Sequence, residues 1–259
     1  VVSEREQRLV FGEVAELYDR ARPGYPDALV DDVVAVVGVP GPALEIGAGT
    51  GKATAQFAAR GMTVHAIEPN EDMAALARRN CAAYPGVTVE VVGFEDWTMQ
   101  AHAFALVFAA QAWHWVRADM RAVRAADALV PTGHLALFWN IARPFDEPLQ
   151  SAVDDAYRRF APELDDLGPP ARAMPVREDP RVDLDASGRF DTAEIRRYPN
   201  VGTYSTAEYL DLLNTHSDHR LLPPAQRAEL LEALRSALDA NGGRCERRYE
   251  TVLYLARTK

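Results

Sequence analysis

Lysine is almost missing from this 259-residue chain: Lys52 and Lys259 are the only two, and arginine supplies the rest of its 28 basic residues. Against 38 acidic residues they leave a formal net charge of −10, so the average field repels polyanions and nucleic acid is a disfavoured partner. The pairs Arg78-Arg79, Arg196-Arg197 and Arg247-Arg248 are scattered and read as solvated faces. Cysteine is equally scarce, with only Cys81 and Cys245. No C-x-x-C and no Cys/His cluster at zinc spacing occurs, which speaks against a disulfide framework and against a structural metal. No apolar run approaches the roughly 20 residues that a spanning helix requires. The opening Val1-Val2-Ser3-Glu4-Arg5-Glu6-Gln7-Arg8 is too charged for a signal segment. A soluble, cytoplasmic protein with no membrane, metal or nucleic-acid partner is expected.

What remains is ordinary globular composition, 48% hydrophobic and 25% charged. A single domain is expected at this length, with one core or a core plus a lid. From residue 42 short apolar runs alternate with helix-period segments. Pro42 to Ile46, Met62 to Ile67, Val87 to Val92, Phe104 to Ala110 and His134 to Trp139 read as strands, most of them apolar on both faces. Lys52 to Arg60, Glu71 to Asn80 and Ala118 to Leu129 read as the helices between them, the last with Met120, Val123 and Ala126 on one face. Right-handed crossovers then give an α/β fold, a Rossmann-like doubly wound sheet with its ligand crevice at the strand carboxyl ends.

Beyond residue 140 the alternation fails. Pro162 to Gly188 reads as a long mobile connection, of the kind that forms lids. Ser205-Thr206-Ala207-Glu208 is a capping box, with Tyr204 and Tyr209 placed as a hydrophobic staple. A further helix begins near Pro224 and stops at Asn241-Gly242-Gly243. Arg247 to Ala256 is strand-like and should join the sheet beside a strand near Glu194 to Val201. The expected sheet is mostly parallel and seven-stranded, with an antiparallel C-terminal strand and a helical lid. Within the single domain we expect an N-terminal helical cover (1–40), a cofactor-binding core (41–140), lid and substrate insertions (141–188 and 203–243) and two terminal strands (189–202 and 244–259).

The strongest chemical signal is Ala43-Leu44-Glu45-Ile46-Gly47-Ala48-Gly49-Thr50-Gly51-Lys52, a strand running into a glycine turn that opens a helix. Glycines let backbone approach a ligand, and free N–H groups at a helix start favour negative charge. A dinucleotide fingerprint would need glycine where Lys52 stands. A P-loop would need glycine at Ile46 and Ser or Thr at Ala53. What remains is Glu-x-Gly-x-Gly-x-Gly. Roughly 20 positions further on, the second strand ends in Glu68-Pro69-Asn70, where a carboxylate accepts hydrogen bonds from the two ribose hydroxyls of an adenosine-type ligand. The third strand ends Gly93-Phe94-Glu95-Asp96-Trp97, an apolar face with acceptors where an adenine would lie.

In these three segments the chain resembles the class I S-adenosylmethionine-dependent methyltransferases. Glu45 to Gly51 is similar to their first motif, Glu68 to their ribose acid and Phe94 to Asp96 to their adenine segment. Phe11 to Pro26 and Leu221 to Lys259 resemble a small-molecule subgroup similar to trans-aconitate and quinone-biosynthesis methyltransferases. Where that family's fourth strand commonly begins with Asp, this one carries Ala105. The resemblance implies S-adenosylmethionine as cofactor, S-adenosylhomocysteine as product and a small-molecule acceptor. It implies cofactor contacts at Glu45, Gly47, Ala48, Gly49, Thr50, Gly51, Glu68, Pro69, Met73, Phe94, Glu95 and Gln111. Tyr18 and Arg22 are expected to close over the cofactor, with Arg22 near its carboxylate.

Gln111-Ala112-Trp113-His114-Trp115 leaves the fourth strand at its carboxyl end, facing the position of a transferable methyl. His114, with an unperturbed pKa near roughly 6.5, is the candidate base. Tyr25, Trp113, Trp115, Trp139, Asn140 and His216 are the candidate substrate contacts, the indoles forming an aromatic-walled pocket. The expected reaction is in-line displacement at the cofactor methyl, without a metal, in a monomer or homodimer. Two alternatives stand beside it: a non-catalytic module binding S-adenosylmethionine or S-adenosylhomocysteine, and a nucleic-acid methyltransferase. The second is disfavoured because Ala109-Ala110-Gln111-Ala112 lacks the proline-containing motifs of those enzymes.

Overall fold

A computed structural model of the chain describes residues 14–165 and 179–259. Helices α1 (Ala15–Ala21) and α2 (Asp27–Val37) come first. They are followed by β1 (Pro42–Ile46), α3 (Lys52–Ala58), β2 (Thr63–Ile67), α4 (Glu71–Asn80), β3 (Val87–Glu90) and β4 (Phe104–Ala110). A single 3-10 turn (Trp113–Trp115) leads into α5 (Arg121–Ala128), β5 (Leu129–Ala142), α6 (Leu149–Phe160) and α7 (Pro162–Asp165). The remainder is α8 (Pro180–Ser187), β6 (Glu194–Ser205), α9 (Thr206–Asn214), α10 (Ser217–Leu221), α11 (Pro224–Ala240) and β7 (Arg244–Arg257).

The strands form one seven-stranded sheet in the order β3-β2-β1-β4-β5-β7-β6. The first five run parallel, and the C-terminal strands are antiparallel. This is the Rossmann-like arrangement that the strand and helix periods predict. From β1 the chain steps outward to β2 and β3, then returns to the other side of β1 as β4. The carboxyl ends of β1 and β4 therefore flank the point where strand order reverses, which is where open parallel sheets hold ligands. Apolar residues on both faces explain why β1 and β4 are interior: Ala43, Leu44, Leu106, Val107 and Phe108 are wholly buried.

The described residues divide into two compact units. One comprises those of Gly24–Asn140, Val176–Tyr198 and Thr251–Lys259. The other comprises those of Val1–Pro23, Ile141–Pro175 and Pro199–Glu250. In the first, Leu29, Val30 and Val33 of α2 and Phe57 of α3 pack with Phe108, Phe138 and Leu253 of the sheet. In the second, Leu230, Leu234 and Leu238 of α11 pack with Val153 and Tyr157 of α6 and with Leu210 and Leu213 of α9. The α9 capping box forms as its sequence predicts: Ser205 accepts from the Glu208 backbone, and the Glu208 carboxylate accepts from the Ser205 N–H. The Tyr204 and Tyr209 rings meet edge to face at 6.0 Å.

Three expectations are corrected. Residues 180–187, read as part of a mobile connection, form helix α8, because the Asp179 side chain caps the Arg181 N–H and Pro180 suits a first helical turn. On α5 the buried face is Arg121, Ala122, Ala125 and Ala126, while Val123 is exposed. An arginine took the place of an expected aliphatic there because its charge is matched: Arg121 Nε donates to Asp183 Oδ2 at 2.5 Å, and Nη1 donates to the carbonyls of Trp113 and Val116. Strand β5 begins at Leu129 rather than His134, since α5 ends directly into it. Phe11-Gly12-Glu13 of the opening segment and residues 166–178 of the expected connection lie outside the described residues.

Candidate active site

The turn after β1 is held by its neighbour strand. Gly47 N and Ala48 N both donate to the Ile67 carbonyl of β2, at 2.9 and 3.1 Å, which pins the loop over the sheet's end. Gly47, Gly49 and Gly51 all have positive φ, a conformation that side chains with a Cβ rarely adopt. The reason for glycine differs between them. A Cβ on Gly47 would sit 2.5 Å from the Ala112 methyl, so packing alone demands glycine there. A Cβ on Gly49 would find its nearest heavy atom, Met73 Cε, at 3.9 Å. At Gly49 the backbone is uncovered on that side, a cradle that a side chain would fill.

Glu68, at the end of β2, reaches back across this turn. Its Oε2 accepts from Gly49 N and its Oε1 from Asn70 N, both at 2.9 Å, and the residue is buried. Asn70 in turn caps α4, its Oδ1 accepting from Met73 N at 3.0 Å. The carboxylate is thus positioned by the two backbone segments that border the crevice. Pro69 is exposed, and Met73 is buried under the turn.

Beneath the glycines lies Glu45, fully enclosed. Thr54 Oγ1 donates to its Oε2, while its Oε1 is buried with no hydrogen-bond partner among the described residues. Burial pushes this carboxyl up to about 8, and the negative charge of Glu68 adds to the effect. Thr50 Oγ1 is likewise buried without a partner among the described residues. Phe94 is buried, stacked with Trp97 at 6.2 Å, and lies under the Arg124 guanidinium. Glu95 accepts from Arg117 N at 3.3 Å.

At the end of β4, Gln111 takes a positive φ of 57°, strained for a residue with a side chain, while its N–H donates to the Phe138 carbonyl at 2.9 Å. Of the expected aromatic wall, Trp113 is buried and its indole N–H donates to Asp183 at 3.1 Å, so it is anchored inward. Trp139 is also buried; its ring meets Tyr254 edge to face and its N–H donates to His114 Nδ1 at 3.4 Å. Trp115 and His114 are half-buried, their rings 4.8 Å apart. Because His114 Nδ1 accepts from Trp139, the neutral ring carries its proton on Nε2. Asn140 is buried with both ends of its amide used: Nδ2 donates to the Gly24 carbonyl and Oδ1 accepts from Thr251. Tyr25 is half-buried, clamped by Gln56 and meeting Phe138 edge to face at 4.8 Å.

Tyr18, Arg22 and His216 belong to the other unit. There Arg22 is buried, donating to Thr215 Oγ1 and the Thr215 carbonyl at 2.7 and 3.1 Å, with its guanidinium over the Tyr18 ring. Burial, then the charge of Arg22, holds the His216 imidazole well below its usual titration range. Sequence reasoning missed Asp183, which anchors Trp113 and Arg121 together; it lies in a stretch read as a loop, so no periodicity exposed it. It named His216 as a substrate contact but missed Asp218 and His219 beside it, since the run matches no standard ligand spacing.

Residues 43–133 match the model of a family described as methyltransferase domain. Uncharacterized methyltransferases of Mycobacterium tuberculosis and Mycobacterium bovis are each 34% identical to the chain over 138 residues, 53% of its length and 55% of theirs. The chain spans about half the length of the curated relatives it matches. A candidate type II methyltransferase from Anaeromyxobacter dehalogenans shares the fold with a TM-score of 0.67 at 23% identity, covering 91% of this chain and 97% of that one. A candidate methyltransferase from Bacillus halodurans C-125 does so with a TM-score of 0.56 at 20% identity, over 90% and 99% of the two chains. Residues 43–133 are thus similar to a methyltransferase domain, and the fold is shared with solved candidate methyltransferases. Among the described residues, no helix is long and apolar enough to cross a membrane.

Proposed function

We propose that this chain transfers a methyl group from S-adenosylmethionine to a small-molecule acceptor by in-line displacement. The observation that carries the reading is the buried Glu68 carboxylate at the end of β2, fixed by Gly49 N and Asn70 N beside the β1 turn that borders the strand-order reversal. The residues present fit the cofactor. Glu68 supplies acceptors for a vicinal diol and the open side of Gly49 admits a close ligand, while Phe94 is buried against Trp97 and Arg124. Glu45 Oε1 and Thr50 Oγ1, both without a hydrogen-bond partner among the described residues, are buried polar atoms at the turn. When bound, the cofactor brings a methyl group on a sulfonium and leaves as a neutral thioether.

The chain's own contribution is positioning and exclusion of water, and orientation alone is worth about 7–11 kcal/mol in favourable cases. Glu68 and the glycine turn hold the ligand's adenosine end against the sheet. His114 holds a proton on Nε2, so it orients an acceptor oxygen by donating a hydrogen bond, with Trp139 fixing the ring through Nδ1. Trp115 and the His114 ring supply the half-buried aromatic surface beside it.

Calorimetric titration with S-adenosylmethionine and S-adenosylhomocysteine tests the reading. One equivalent of each should bind the wild-type chain, with affinity lower by about ten- to a hundredfold in Glu68→Ala, the loss of charge-assisted hydrogen bonds. A wild-type chain that binds neither ligand overturns it.

A further inference from the structure

We propose that His216, Asp218 and His219 form a binding site for one divalent transition-metal ion of the zinc class. The proposal stands apart from the methyl-transfer reading, because these residues lie outside the methyltransferase-matched segment 43–133 and within the other compact unit. The local backbone brings them together. Thr215 N and His216 N close the last turn of α9 on Leu212 O and Leu213 O. His216 then adopts an extended conformation that starts α10. One ligand atom from each of the three side chains falls within 4.8 Å of the others.

The second observation is independent of that proximity. His216 Nδ1 is buried with no hydrogen-bond partner among the described residues, a state that costs about 1–3 kcal/mol for a polar atom removed from water. A metal bond satisfies that lone pair. The two imidazoles lie 5.5 Å apart at 75°. Two rings bonded through nitrogen at about 2 Å to one tetrahedral ion have centres at a similar separation.

The surrounding groups complete the arrangement. His219 Nδ1 lies 2.8 Å from Asp218 Oδ1, two ligand atoms already adjacent. His219 Nε2 is 2.7 Å from the buried Tyr157 hydroxyl, an outer partner of the kind that fixes a ligating imidazole and leaves its other nitrogen to the metal. With the ion on His219 Nδ1, the neutral ring carries its one proton on Nε2, where it donates to the Tyr157 hydroxyl, and Asp218 Oδ1 gives its lone pair to the ion. Two imidazoles and one carboxylate suit zinc, cobalt or nickel, whereas calcium and magnesium require oxygen-rich shells. The positive charges of Arg22 and Arg247 near His216 oppose any cation there, a cost the metal–nitrogen bonds must exceed.

The test is titration of the untagged full chain, after treatment with a chelator, with Co2+ and then Zn2+. One equivalent of Co2+ should bind with a visible ligand-field absorption, and Zn2+ should abolish that absorption. His216→Gln and Asp218→Asn should each weaken binding by at least about tenfold while metal-free thermal melts stay close to wild type. His65, His102, His114 and His134 remain in both variants, so adventitious binding to them would be unaffected. A wild-type chain without the absorption, or a His216→Gln variant with unchanged affinity, overturns the proposal.

Discussion

The Thr54 hydroxyl donates to Glu45 Oε2 in a fully enclosed pocket beneath the glycine turn, and Oε1 of the same carboxyl has no partner among the described residues. A carboxyl so placed keeps its proton in the folded chain up to about 8, where an unfolded chain releases it near 4.5. Stability from this group is therefore complete below the unfolded value and is lost as pH rises toward the folded one. Urea unfolding between those limits should show wild-type stability falling by on the order of a few kcal/mol, and Glu45→Gln, which cannot ionise, should flatten the curve. Parallel slopes for the two proteins would refute the assignment.

The glycines of the turn should respond differently to alanine. Gly47→Ala places a methyl 2.5 Å from Ala112 on a left-handed backbone, so a loss of about 1–3 kcal/mol in folding stability is expected. Gly49→Ala bears the backbone strain alone, about 1–2 kcal/mol. Its larger effect should fall on S-adenosylhomocysteine affinity, through the cradle its methyl fills. Melting curves and calorimetry on the two variants separate these outcomes, and equal ligand affinities would remove Gly49 from the site.

Most of the geometry around the glycine turn was legible because its signals are local. The run Glu45 to Gly51 needs its glycines wherever it occurs in such a turn, and Glu68 is located by strand length and crossover alone. The role of Asp183 was not legible, since its cause is a tertiary pairing with Arg121 and Trp113 that no spacing reveals. The start of α8 at Asp179-Pro180 is by contrast a local signal, masked by the Pro- and Asp-rich stretch around it. The aromatic residues show the same limit. Four tryptophans near strand ends read alike in sequence, yet packing turns Trp97, Trp113 and Trp139 inward and leaves Trp115 half-buried.

His114 offers a test that distinguishes donor from base. If Nε2–H orients the acceptor, His114→Gln should retain most turnover, while His114→Phe should lose about tenfold or more with cofactor affinity little changed. A wild-type pH–rate profile with a limb in the histidine range that vanishes in His114→Gln would establish base catalysis instead.

Asp183 serves two buried donors, Arg121 Nε and Trp113 Nε1. Asp183→Ala should destabilise the chain by about 3–5 kcal/mol, as expected when one partner of an enclosed ion pair is removed. Asp183→Asn, which keeps one acceptor, should lose less. Urea midpoints read with tryptophan fluorescence measure both, and an unperturbed alanine variant would show the pair to be energetically neutral.

The position of β7 between β5 and β6 has a consequence for the order in which the sheet is completed. On a ribosome β6 emerges before the strand that pairs with it, and both it and β5 expose bare hydrogen-bonding edges until residues 244–257 have been made. Assembly of the sheet thus closes from within: its final strand is inserted between two waiting ones, and synthesis cut short before Arg244 yields two adhesive edges where the finished chain has a continuous ladder.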